Sequence, residues 1–110
     1  MENGYRTAWI YVRDVFAGTL RETDEGYCFE YDADYLAEPS APSVSLTLEK
    51  REEPYRSEVL FPFFDGLIPE GWLLQVVSHI WKIDPRDRFG LLLVACKDCI
   101  GAVSVWGEKR

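Results

Sequence analysis

The spacing of apolar residues changes once along this chain, and that change limits the folds open to it. Up to Leu48 the apolar runs are short and several alternate with polar residues; from Phe61 on they recur mainly three and four positions apart. A period of two puts alternate side chains on opposite faces of a strand, and the longer period puts them on one stripe of a helix. Residues 100–106 alternate again. Strands, then helices, then one strand is the order of an α+β domain. The expected architecture is an antiparallel β-sheet in the first half, two to three helices in the second half, and a final strand returning to the sheet. With 110 residues, the chain has the usual size of one domain, so 1–110 is expected to form a single unit.

Within the first half, Ala8-Trp9-Ile10-Tyr11-Val12 and Val15-Phe16-Ala17-Gly18-Thr19-Leu20 read as strands joined by a tight Arg13-Asp14 hairpin. Thr23-Asp24-Glu25-Gly26 is a turn. Tyr27-Cys28-Phe29-Glu30-Tyr31 is a third strand with its aromatic residues on one face. Residues 32–36 suggest a helical turn. Two prolines in Glu38-Pro39-Ser40-Ala41-Pro42 exclude regular structure there. Residues 43–48 alternate Val44, Leu46 and Leu48 against Ser43, Ser45 and Thr47, which predicts a half-buried strand. Residues 49–57 are charged, contain Pro54 and read as an exposed loop.

In the second half, Phe61-Pro62-Phe63-Phe64-Asp65-Gly66 predicts a short helical turn stopped by Gly66. Pro69-Glu70-Gly71 opens a longer helix, with Leu73, Val76, Val77 and Ile80 expected on its buried face. A further helix is expected from Asp84 as N-cap, with Phe89, Leu92, Leu93 and Cys96 as its buried stripe.

Composition narrows the function. The net charge is -7 and the pI about 4.6, whereas nucleic-acid binding needs a basic face. From Glu22 to Glu38 there are seven acids and no base, either a solvated face or a surface complementary to a basic partner. No apolar run approaches the roughly 18 residues that span a bilayer. Nothing at the N-terminus resembles a signal peptide, and three cysteines fit a reducing cytoplasm with free thiols. Phosphate-binding glycine loops are absent. Cys96-Lys97-Asp98-Cys99 falls at an expected helix C-terminus, where the dipole disfavours a thiolate, so structural cysteines are expected over zinc or redox chemistry. His79 has no evident nucleophile to serve. No catalytic residue, metal or cofactor is expected, and the chain reads as a binding module rather than an enzyme.

The segment from Phe61 to Trp72 is too apolar for a surface loop. Helical geometry puts Trp72 near the edge of the expected buried stripe, close to His79, where it either caps the core or stands out as an anchor.

The run Phe63-Phe64-Asp65-Gly66-Leu67-Ile68-Pro69-Glu70-Gly71-Trp72 resembles the signature of the N-terminal subdomain of HipA-like kinases. Asp87-Arg88-Phe89-Gly90-Leu91-Leu92 and Asp98-Cys99-Ile100-Gly101-Ala102 are similar to two further segments of that subdomain, as are Gly18-Thr19-Leu20 and Ser43-Val44-Ser45-Leu46. With no kinase core in the sequence, the chain resembles the stand-alone HipS-type antitoxin of tripartite HipBST toxin–antitoxin systems. That resemblance implies a HipT-like Ser/Thr kinase toxin as partner, neutralised by docking near its ATP-binding site, and a HipB-like DNA-binding protein in a ternary complex. It also leaves open a non-catalytic N-terminal fragment of a HipA-like kinase with a structural role only. The partner-binding residues to expect are Trp72 as anchor, Glu70 as polar contact, and Gly71, Phe63, Phe64, Asp65, Ile68 and His79 around them.

Overall fold

The structure, a computed structural model, describes residues 5–68, 70–95 and 102–109, and within these not the side chains of Trp72 and Ala95. The expectations for Pro69, Cys96, Asp98, Cys99, Ile100 and Gly101 lie outside the described residues.

Strands β1 (Thr7–Val12), β2 (Val15–Thr23) and β3 (Gly26–Tyr31) form an antiparallel meander, with β4 (Tyr55–Ser57) beside β3 and β5 (Val103–Trp106) beside β1. The sheet order is β4-β3-β2-β1-β5. The first hairpin closes in two residues, with Val12 opposite Val15 and positive φ at Arg13 (50°) and Asp14 (67°). Positive φ at both central positions is the turn geometry that matches the twist of paired strands. The expected α+β architecture is present: strands first, helices next, and a last strand that returns to the sheet. Helix α1 (Ala33–Ala37) supplies the helical turn expected after β3, capped by the Asp32 carboxylate, which accepts from the amides of Asp34 and Tyr35. Helices α2 (Pro62–Asp65), α3 (Gly71–Trp81) and α4 (Arg88–Ala95) follow.

The core lies between the sheet and the helices. Ile10, Leu20, Phe29 and Val105 from the strands meet Phe64 of α2 and Phe89, Leu91 and Leu92 of α4, all without solvent exposure. Phe29 and Phe64 pack with ring centroids 5.6 Å apart.

Two readings of the first half are corrected. Residues 43–48 are not a strand but a tight turn closed by a Ser45–Leu48 bridge. Val44 and Leu48 are buried, while Leu46 at the tip is 96% exposed. The alternation that mimics a strand arises because the turn is pinned at both ends by one phenol. The Tyr31 hydroxyl accepts from the Val44 amide at 2.8 Å and donates to the Leu48 carbonyl. The segment read as an exposed loop, residues 49–57, ends in β4. Its proline, Pro54, stands just before the strand, a position that removes no ladder hydrogen bond.

Candidate partner-binding surface

Helix α3 begins at Gly71, whose φ of +66° suits a residue without a side chain. Glu70 is the residue before it, and Lys82 ends it in the left-handed conformation with its amide bonded to the Ser78 carbonyl. Between these ends the sequence Gly-Trp-Leu-Leu-Gln-Val-Val-Ser-His-Ile-Trp contains no Asp, Glu, Lys or Arg.

The helix is turned by about a quarter of its circumference from the sequence expectation: Val77 packs on the core as expected, whereas Leu73, Val76 and Ile80 do not. Leu74 and Val77 are the apolar residues packed on the core, and Ser78, 6% exposed, sits with them. Leu73 (46%), Val76 (38%) and Ile80 (65%) face solvent, and Trp81 at the C-terminal end is 55% exposed. At about 100° per residue, Leu73, Val76 and Ile80 fall within about 60° of one another, and the core-facing set follows on the next third of the circumference. The apolar arc from Val76 to Leu74 therefore spans roughly 160°, well beyond the roughly 100° an ordinary surface helix needs for one core. Periodicity predicted the stripe but could not tell which half of so wide an arc the domain itself covers.

The signature residues ahead of α3 are structural. Phe64 is fully buried and Ile68 is 3% exposed, so both belong to the core rather than to any outer contact. Phe63 is half-buried and packs edge-on against Phe64 at 5.2 Å. Asp65 accepts from Arg88 Nε at 2.8 Å, which ties α2 to the start of α4 and raises the Arg88 guanidinium above its ordinary pKa. Glu70, Gly71 and His79 are exposed along or beside α3. The Trp72 side chain, the expected anchor, lies outside the described residues. Of the eight expected residues, the structure thus places Glu70, Gly71 and His79 on the surface along or beside α3, and Phe64 and Ile68 in the core.

The second signature segment explains itself through Asp87. The expected cap of α4 was Asp84, but Asp84 instead closes a turn of its own, accepting from the Arg86 amide at 2.9 Å. Asp87 caps α4, accepting from the Gly90 amide at 3.1 Å. The same carboxylate takes two bonds from Arg6, at 3.0 and 2.8 Å, and Arg6 bonds Glu22 at 2.9 Å through both Nε and Nη2. Hydrogen bonds from Arg6 hold the Asp87 and Glu22 carboxyls below their ordinary range, and the two carboxylates raise Arg6 in turn. A Cβ on Gly90 would lie 2.5 Å from Asp87 Oδ2 and 3.1 Å from Arg6 Nη1, so this bridge requires glycine there. Arg6 carried no sequence signal, because its partners lie 16 and 81 residues away.

Among the described residues no cluster of His, Cys, Asp and Glu could hold a metal, and no helix is long and apolar enough to cross a membrane. Cys28 is buried and free. The acidic stretch is divided among local tasks: Glu22 pairs with Arg6, Asp32 caps α1, and Glu38 accepts from the amide and hydroxyl of Ser40.

Comparison with known proteins gives the domain its relatives. An uncharacterized protein of Haemophilus influenzae is 34% identical over 110 residues, covering all of both chains. Two Sinorhizobium fredii proteins that carry kinase names, Y4mE and Y4dM, are each 30% identical over 82 and 95 residues. This chain spans only 20% and 23% of their length. A solved structure described as the N-terminal domain of HipA toxin superposes with a TM-score of 0.70 at 26% identity, covering 100% of this chain and 99% of that one. The family model for the HipA N-terminal domain matches residues 8–106, and with the fold, the α2–α4 signature contacts and these relatives it shows that the chain belongs to the HipA N-terminal domain family.

Proposed function

We propose that this protein is a non-catalytic antitoxin that binds and neutralises a HipT-like Ser/Thr kinase toxin, docking near its ATP-binding site through the outward face of α3. The observation that carries the proposal is the uncharged apolar face formed by Leu73, Val76 and Ile80, with Trp81 exposed at the end of the same helix. Monomeric surfaces seldom leave a contiguous apolar helix face bare unless something covers it. In the kinase-named relatives the matched segment is only 20% and 23% of the chain, and the remainder would supply a natural cover. The Haemophilus influenzae relative consists of this domain alone, which supports a partner held by contact rather than by a peptide link. Glu70, Gly71 and His79 are exposed along or beside the helix, and Trp72 is the proposed anchor of the contact. Phe63 and Asp65 of α2 complete the proposed set. A HipB-like DNA-binding protein would complete the complex, in the cytoplasm.

The test is rescue of growth from a co-expressed HipT-like kinase. Wild-type protein should restore growth. Ile80→Asp and Trp72→Ala should each fail to do so while accumulating at wild-type levels, since a central interface residue contributes about 2 kcal/mol or more. Full rescue by both variants would remove α3 from the mechanism. The second reading, a structural N-terminal part of a HipA-like kinase, is favoured by the partial coverage of the two kinase-named relatives. It predicts no rescue by the separate protein.

A further inference from the structure

We infer that the cavity between the β1–β2 hairpin and α1 is a binding site for a small zwitterion with an apolar side chain, a free amino acid or a dipeptide. The cavity has a volume of about 560 Å³, within the roughly 300–1,000 Å³ of small-molecule sites. Its bottom is apolar, formed by Val12 and Tyr35, each 4% exposed. Phe16 and the exposed Val15 and Pro42 line it further out. No residue of α2, α3 or α4 lines it, so this site is separate from the proposed kinase contact.

The charges around this bottom come from different parts of the chain and are of opposite sign. The hairpin brings Arg13, and Lys109 holds its ammonium 4.7 Å from the centre of the Phe16 ring. Helix α1 and its cap bring Asp34 and Asp32. Asp32 accepts both capping amides through Oδ2, at 3.1 and 3.4 Å, and its Oδ1 accepts no bond among the described residues. Among the described residues Arg13, Asp32, Asp34 and Lys109 have no ion-pair partner, although all four line one cavity. Glu38 also lines it, but accepts from the amide and hydroxyl of Ser40. Two cations and two carboxylates that share a cavity without pairing suit a guest that bridges them. A purely cationic guest would meet Arg13 and Lys109, and a purely anionic one would meet Asp32 and Asp34. A zwitterion satisfies both sides. Its carboxylate accepts from the Arg13 guanidinium, its ammonium donates to Asp34 and to Asp32 Oδ1, and its apolar side chain covers Val15, Phe16 and Pro42. Arg13 and Asp34 are exposed, so water screens these contacts and the affinity is weak, in the millimolar range.

Titration of the isotope-labelled protein, followed by amide NMR, tests the site. L-leucine and L-leucyl-L-leucine should each shift the amides of Val15, Phe16, Asp34 and Ala41 saturably at concentrations up to about 20 mM, and the one that saturates first is the better-sized guest. Leucinamide, which lacks the carboxylate, and N-acetylleucine, which lacks the ammonium, should each bind more weakly than leucine by about threefold. Arg13→Gln and Asp34→Asn should each weaken leucine binding by about threefold. Both side chains are exposed, so the thermal midpoint should not change. The absence of saturable shifts at these amides with both zwitterions overturns the inference. So does binding of leucinamide or N-acetylleucine as tight as that of leucine, and so does leucine binding indifferent to both substitutions. None of these readouts involves a kinase, so their failure leaves the docking proposal to stand or fall by its own rescue test.

Discussion

Replacing Asp87 by Ala removes three hydrogen bonds at once: two from the Arg6 guanidinium and one from the Gly90 amide. The last is an N-cap, and losing such a cap costs about 1 kcal/mol. The Arg6 pair needs more care. The Arg6 and Asp87 side chains are 38% and 34% exposed, so water screens them. Arg6 also keeps Glu22, so no cation is stranded. The appropriate scale is that of a partly exposed ion pair, about 1 kcal/mol, rather than the 3–5 kcal/mol of breaking a buried one. The sum is about 2 kcal/mol. For a chain of 110 residues, the unfolding entropy of about 2.1 cal/mol/K per residue converts this to a fall of about 9 °C in thermal midpoint. Asp87→Asn retains an acceptor for the Gly90 amide but loses the charge, so it should fall only about half as far. Thermal unfolding at pH 7, followed by circular dichroism, measures both. If Asn is as damaging as Ala, the cap contributes nothing. If Ala shifts the midpoint by less than about 2 °C, Asp87 is not the joint between β1, β2 and α4 described above.

The same cluster sets a pH dependence. Arg6 lowers the folded-state pKa of both Asp87 and Glu22, so the stability they contribute is complete above the ordinary carboxylate range of about 4 and is lost as pH falls through the folded values. The midpoint of wild-type protein should therefore drop more steeply between about pH 5 and 3 than that of Asp87→Asn. Two further substitutions separate core from surface. Phe64→Ala should cost about 3–5 kcal/mol, because the ring is fully buried against Phe29, Phe61 and Phe63. Leu46→Ser, at a tip 96% exposed, should stay within about 0.5 kcal/mol of wild type. Denaturant unfolding compares both.

Much of the fold could be read from local chemistry. The Arg13-Asp14 turn, the aromatic face of β3 and the halt of α2 at Gly66 are decided within a few residues, and each stands where periodicity and turn residues put it. What was misread involved partners distant in sequence. Residues 43–48 alternate as a strand does, but the Tyr31 hydroxyl, 13 to 17 positions earlier, makes them a pinned turn. β4 is a three-residue edge with no apolar run of its own and exists because β3 offers it a ladder. On α3 the pattern is truly apolar over both halves of a wide arc, and only the position of α4 settles which half is inside. The buried member at that inner face is a serine, Ser78, while Ile80 faces out. In the signature segment Phe64 and Ile68 are core residues, and the exposed apolar residues stand on the helix that follows them. Arg6 had no signal at all, since the value of an arginine between Glu22 and Asp87 exists only after folding.

The most direct test of the α3 surface is calorimetric titration of the protein into a purified HipT-like kinase at several temperatures. Burial of Leu73, Val76, Ile80 and Trp81 predicts a negative heat-capacity change, an affinity loss of at least tenfold for Ile80→Asp, and no change in the thermal midpoint of the free variant. Binding by Ile80→Asp equal to that of wild type, or binding without a negative heat-capacity change, would contradict an interface built on this helix.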